Sequence, residues 1–385
     1  MPNTRRMQQA ASGVGGRGTF DYGGEGELWV VGENHAGALG LGDTVHRSEL
    51  TQVGSRKDWV RCSSGMEGYG RTGAIDSSGR LYTWGEGSSG VLGHGNTTDY
   101  SSPVQVGVDT DWQDIHMAAN FHSIALKGGR VYMCGKDEYG KLGGIGSVNV
   151  FTQIGALTDW TDVGQGYWNP TAINSSHQMF AWGYNGTGAC GDGTYAGDGA
   201  APLARSSPVL VTGSHAWAKS DGGEQWNVGI TNSGGLYTWG IGGSGRTGQG
   251  DNYNNHTPEQ IASGVFTDCA AGSSGGGAIK SDGTLWTWGT DSFNADNVAR
   301  SSPVQQGSDT DWYKVTYQAS SGCGMKTDGT VWVWGTTDGG AAGGQYGTSI
   351  TRTGSLDATE AFNGDLFNYI GPSQRGHLTS FIKSI

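Results

Sequence analysis

The side chains with chemical potential are few, and their spacing restricts what they could do. Carboxylates recur as Asp109-Thr-Asp111 and Asp309-Thr-Asp311, with Asp159 in a related place. Oxygen pairs on a turn are calcium ligands when enough of them converge. Each Asp here lies in the turn before a Trp strand, so the favoured role is capping that turn by accepting backbone N–H groups. Gly272-Ser-Ser-Gly-Gly276 has the spacing of a nucleophile elbow. An elbow needs a strand before it and a helix after it, and this glycine-rich stretch opens a strand instead. The glycine run from Gly186 to Gly193 lacks the helix N-terminus that would make a phosphate cradle. Cys62, Cys134, Cys190, Cys269 and Cys323 form no CxxC pair, and the nine histidines form no HxH or HExxH pattern. Neither a catalytic centre, a metal site nor a cofactor is expected.

Aromatic side chains are the alternative source of recognition. When internal repeats are aligned, Asn120-Phe121-His122, Tyr167-Trp168-Asn169 and Glu224-Gln225-Trp226 share one register, with Tyr69 and His377 nearby. Equivalent positions of a ring of repeats lie at one face. Tyr69, Phe121, His122, Tyr167, Trp168 and Trp226 are therefore a candidate rim for a protein partner or for sugars stacked on apolar ring faces. A second candidate contact is the long insertion carrying Asp192, Tyr195 and Asp198. A third is the arm of residues 1–18, where Arg5, Arg6 and Arg17 give +3 in small, polar surroundings that should be disordered alone.

The elements that position these groups follow from a repeat. A five-residue anchor occurs seven times: Leu28-Trp-Val-Val-Gly32, Leu81-Tyr-Thr-Trp-Gly85, Val131-Tyr-Met-Cys-Gly135, Met179-Phe-Ala-Trp-Gly183, Leu236-Tyr-Thr-Trp-Gly240, Leu285-Trp-Thr-Trp-Gly289 and Val331-Trp-Val-Trp-Gly335. Its spacing averages about 50 residues. Before every anchor but the first come an aromatic strand start such as Asp111-Trp112, a short apolar strand such as Ile124-Ala-Leu126, and a turn such as Ser281-Asp-Gly-Thr284. Asp-Gly between apolar runs favours a hairpin because both residues tolerate positive φ. A Gly-rich stretch and a strand like Ser102-Pro-Val-Gln-Val106 complete the unit. Four short strands per unit is the content of a propeller blade. The expected fold is all-β: a single seven-bladed β-propeller over residues 19–385, closed by strands from both termini, with a flexible N-terminal arm at 1–18.

Composition agrees with this and narrows the partners. Glycine supplies 73 of 385 residues, without a collagen period, and 15 Trp, 15 Tyr and 9 Phe provide ample surface to bury. No apolar run approaches the roughly 20 residues of a membrane helix. The net charge is −12, so outside the arm the body is strongly acidic, a poor match for nucleic acid.

The pattern resembles the regulator of chromosome condensation repeat family, most closely at Ala118-Ala-Asn-Phe-His122-Ser-Ile-Ala-Leu126. The resemblance implies a seven-bladed propeller and leaves activity open, because function resides in sites grafted on a fold. A basic arm followed by such repeats also looks like virion proteins of tailed phages. The expected function is accordingly a non-catalytic structural or interaction protein. It would be a virion component (capsid decoration, tail or baseplate) assembled in the host cytoplasm and anchored by its arm to other virion proteins or to copies of itself. Two alternatives accompany it: a cytoplasmic protein-binding module, regulatory or inhibitory, and an adhesin for host-surface glycan. Nucleic acid and membrane are not expected partners.

Overall fold

The computed structural model describes residues 25–65, 70–195, 203–290, 298–318 and 321–335, and short strands at 359–360, 369–370, 373–374 and 378–384. The regular structure among those residues is β-strand apart from a few single-turn 3-10 helices, in largely antiparallel sheets arranged as a propeller. One sheet shows how the repeat folds. Trp112–Ala118 pairs with His122–Lys127, that strand with Arg130–Gly135, and the last with Val148–Gln153. The first strand of each sheet packs against the first strands of its neighbours, so it lies innermost. The second strand is covered on both faces by adjacent sheets. For this reason Arg71–Asp76 and Trp226–Thr231 are buried at every position instead of alternating. Fourth strands such as Tyr100–Gln105 form the half-exposed wall.

The Asp-Gly turns close the second hairpin. Gly283 has φ +79° and donates its N–H to Lys280 O at 2.9 Å. The Gly-rich stretches have a different cause. Gly90 has φ +74°, and a Cβ there would sit 2.6 Å from Asn149 Cα in the fourth strand of the next sheet. Glycine permits both the left-handed turn and the close approach. Anchor tryptophans fasten the same contact from the opposite side. Trp182, Trp239 and Trp288 are fully buried, and their indole N–H groups donate to Lys141 O, Ala189 O and Arg246 O of the preceding unit, at 2.8, 2.9 and 2.8 Å. Each ring thus buries a large apolar surface and satisfies its one polar atom.

The expected seven-bladed ring closed by strands from both termini requires correction. Hydrogen bonding divides the described strands into five separate four-stranded blades and one nine-stranded sheet. In the nine-stranded sheet, Gly26–Gly32 pairs with Leu378–Ser384, and it also meets the next aromatic strand where Gly26 lies opposite Trp59. Ser373–Gln374 runs parallel to the same aromatic strand, opposite Ser64 and Gly65. Counting anchors counts repeats. It cannot count sheets, because edge strands with free N–H and C=O groups join wherever they come within reach.

Candidate functional site

Two regions collect the polar and aromatic side chains that the core does not consume. The first surrounds the axis. Its innermost strands are Trp59–Gly65, Trp112–Ala118, Trp160–Gly164, Trp217–Gly222, Phe266–Ala271 and Trp312–Gln318. Each opens with a buried aromatic ring, and two residues later each carries a charge: Arg61, Asp114, Asp162, Lys219, Asp268 and Lys314. In a regular strand those two residues would share a face. Here the register slips between them in all six strands. Trp59 lies opposite Asp76 while Arg61 lies opposite Ile75, adjacent residues that face opposite ways. The inserted residue therefore leaves the aromatic between blades and turns the charge away from it. His116 and Asp221 stand two residues further along their strands.

These groups hold neighbouring blades together. The innermost strand is an edge, so part of its backbone needs partners from outside its own sheet. Val315 N donates to Asp268 Oδ2 at 2.8 Å, Ala271 N to Asp221 Oδ2 at 3.0 Å, and Met117 N to Ser63 Oγ at 2.9 Å. In each case the acceptor belongs to the preceding blade. The Lys219 ammonium pairs with Asp268 across the boundary that Asp221 and Ala271 also span. His116 Nε2 lies 3.6 Å from Asp114 Oδ2.

The crowded axis shifts protonation. Burial raises the Asp221 carboxyl to about 6, opposed by the Ala271 N–H, Lys219 and His116. Burial lowers the Lys314 ammonium to about 7; Asp268 opposes this, while Lys219 and Arg61 reinforce it. Burial works against the charge on Asp114, but His116 and Arg61 outweigh it and hold the carboxyl at about 2. His116 is raised: its burial is outweighed by Asp114, with Asp221 and Asp162 adding to the attraction.

The second region is an aromatic cluster at the end of the blades where the first strand turns into the second. Tyr139 has φ +57° and is 44% exposed. Its ring centroid lies 5.2 Å from Trp168 and 5.2 Å from Tyr184, both edge-on. Tyr167 meets Trp168 at 5.1 Å. Beneath them the buried Lys141 donates to Asn120 O at 2.6 Å, and its ammonium lies 5.2 Å from the Trp168 ring centroid. Glu138 pairs with Lys136 at the solvent edge, which lowers its carboxyl below the usual range.

The structure separates the aromatic residues that shared one register in the sequence. Trp168 is half-buried and belongs to the cluster, with Tyr167 just beneath the surface at 7% exposure. Trp226 is fully buried and donates to Gly272 O at 2.9 Å. His122 is also fully buried. Desolvation, with Lys141 and Arg71 adding, pushes its pKa well below the usual range, so the ring is neutral. Phe121 is half-buried, with the Arg71 guanidinium 5.4 Å from its ring centroid. In the insertion, Asp192 accepts from Arg205 Nε at 2.6 Å, and Tyr195 stacks on His256 at 3.8 Å. Arg5, Arg6, Arg17, Tyr69, Asp198 and His377 lie outside the described residues. The carboxylate pairs face lysines: Lys127 meets Asp109, and Lys326 meets Asp309 and Asp311.

Sequence reasoning missed Tyr139 and Tyr184, although Tyr184 directly follows an anchor glycine. It also missed the axial charges, whose signal was present as aromatic–any–charged in six strands.

Comparison with known proteins bears on the fold. Residues 78–126 match the regulator of chromosome condensation (RCC1) repeat. The chain resembles the RCC1 β-propellers. It is 29% identical over 289 residues to the human E3 ubiquitin-protein ligase HERC2, covering 72% of this chain and 6% of that protein. It is 28% identical over 257 residues to the ultraviolet-B receptor UVR8 of Arabidopsis thaliana, covering 64% of this chain and 56% of the receptor. Among solved structures, Prp20p of Saccharomyces cerevisiae superposes with a TM-score of 0.79 at 16% identity, over 97% of this chain and 96% of Prp20p. Human WBSCR16 superposes with a TM-score of 0.78 at 14% identity, over 93% and 99%. At these identities the superpositions establish an RCC1-like fold.

Proposed function

We propose that this RCC1-like propeller is a non-catalytic protein-interaction module that docks a partner on the cluster of Tyr139, Trp168 and Tyr184. The supporting observation is the composition of that patch. Tyrosine and tryptophan dominate binding energy at interfaces, and here they stand at an open end of the blades beside the Lys136–Glu138 pair. Tyr139 holds a left-handed backbone conformation, which costs free energy that its packing on Trp168 and Tyr184 offsets. The yeast relative is described with binding properties to Gsp1p and histones, and in a complex with Kap60. Protein binding by this fold is the analogy that supports the same class of partner here.

A photo-crosslinking amino acid at position 139 of the full chain, expressed in its source cells, identifies the partner. Its affinity for Tyr139→Ala and Trp168→Ala is then compared with the parent protein, with circular dichroism confirming the fold. Loss of tenfold or more in affinity supports the reading; affinity within twofold for both variants refutes it. The finer placement, in a tailed-phage particle through residues 1–18, is part of this proposal and rests on the basic composition of that arm. Finding the chain in stoichiometric ratio to capsid protein in purified particles would support that placement, and its absence from clean particles would remove it. Saturable glycan binding that is lost with Trp168→Ala would favour the adhesin instead.

A further inference from the structure

The axial ring contains more ionisable groups than a structural latch requires. Hydroxyl side chains suffice where Ser63 Oγ takes the Met117 N–H. At the equivalent place in another blade the acceptor of Ala271 N–H is instead the carboxylate of Asp221. Lys219 shares its strand and Asp268 faces it from the next. His116 and Asp162 lie close enough to interact, His116 with Asp221 and with Asp162 alike. Lys314, on the strand after that of Asp268, is placed where Asp268 and Asp114 attract it and Lys219 and Arg61 repel it. Three permanent or potential cations and one histidine thus confront four carboxylates on the innermost strands of successive blades.

We propose that this ring is a proton-responsive brace between blades that is loosest near neutral pH and tightens on either side of it. On the acid side, the folded state gains as Asp221 takes up a proton, because the neutral carboxyl avoids the cost of a desolvated charge while its Oδ2 still accepts from Ala271. His116 acts in the same direction, since its proton is held more firmly in the folded ring than in the unfolded chain. On the alkaline side, the folded state gains as Lys314 loses its proton, because the ammonium is the form the ring disfavours. The groups that face these three from the packed strands are Arg61, Asp114, Asp162, Lys219 and Asp268. Among them Asp114 stays ionised through this range.

Linkage sets the size of the effect. With Asp221 at about 6 in the fold against the ordinary 3.8, the unfolding equilibrium constant should rise about tenfold between pH 5 and pH 7. With Lys314 at about 7 against 10.5, it should fall about tenfold again between pH 7 and pH 8.5. The test is equilibrium urea unfolding of the full chain at these three pH values, for the parent, Asp221→Asn and Lys314→Met. Asp328→Asn, on an exposed turn, serves as control. The expected result is that Asp221→Asn removes most of the acid limb, Lys314→Met removes the alkaline limb, and the control retains both. Parallel profiles for parent and both variants overturn the proposal. Should a variant fail to fold, carbon-13 resonances of labelled Asp carboxyls in the parent protein decide the matter. An axial carboxyl titrating near pH 6 supports the brace, and all of them titrating at or below about 4 overturns it.

Discussion

Replacing Asp268 with alanine tests whether the axial charges hold the blades together. The carboxylate is 8% exposed, and it serves the boundaries on both sides of its own blade. Its Oδ2 takes the Val315 N–H at 2.8 Å, and its other oxygen faces the Lys219 ammonium, whose side chain is 23% exposed. Removing it leaves an edge amide without its acceptor, which costs about 1.5–3 kcal/mol for a hydrogen bond to a charged group. It also leaves Lys219 half-buried beside Asp221. Removing one partner of a fully buried pair costs about 3–5 kcal/mol in total, and residual solvation of Lys219 places this case near the lower end, at about 3 kcal/mol. A chain of 385 residues has an unfolding entropy of about 0.8 kcal/mol per kelvin, so the melting temperature should drop by about 4 °C. Differential scanning calorimetry and urea unfolding at pH 7 measure both quantities. The pairwise part comes from a cycle with Lys219→Met, where the double variant should recover about 1–2 kcal/mol relative to the sum of the singles. A single-variant loss under 0.5 kcal/mol, or strict additivity in the cycle, would refute the latch.

Three further outcomes follow from the same packing. Trp226→Ala removes a fully buried ring and its bond to Gly272 O, so it should cost about 3–5 kcal/mol in urea unfolding, whereas Trp168→Ala should cost markedly less. Gly90→Ala combines a left-handed φ with a Cβ 2.6 Å from Asn149 Cα; it should destabilise by more than about 2 kcal/mol, and a neutral result would mean the Gly-rich segment can move away from the next blade. All five cysteines are buried free thiols, and burial pushes the pKa of four of them up, so a thiol reagent at pH 8 should label none in the native chain and all five in urea.

The repeating unit of this protein is legible in its residues alone. An anchor repeated at about 50 residues, a turn with residues that accept positive φ, and aromatic and apolar runs of strand length leave a four-stranded blade as the economical reading. These signals are local, and local propensity is what a sequence records directly. Grouping of blades into sheets depended instead on where edges meet. Gly26 reaches Trp59 and Ser373 reaches Ser64, contacts between residues far apart in the chain that no repeat spacing encodes. Tertiary structure also decided the sites. Trp168 and Trp226 fall at neighbouring positions of the same aligned triplet, yet Trp226 begins a strand covered on both faces, while Trp168 sits two residues before Pro170, in the loop, against Tyr139 and Tyr184. The axial charges were visible as letters but not as a ring. A strand of period two would have placed each beside a buried aromatic, and the extra residue in all six strands turns them away. A bulge is a matter of how two strands pair, so it exists only once the second strand is in place.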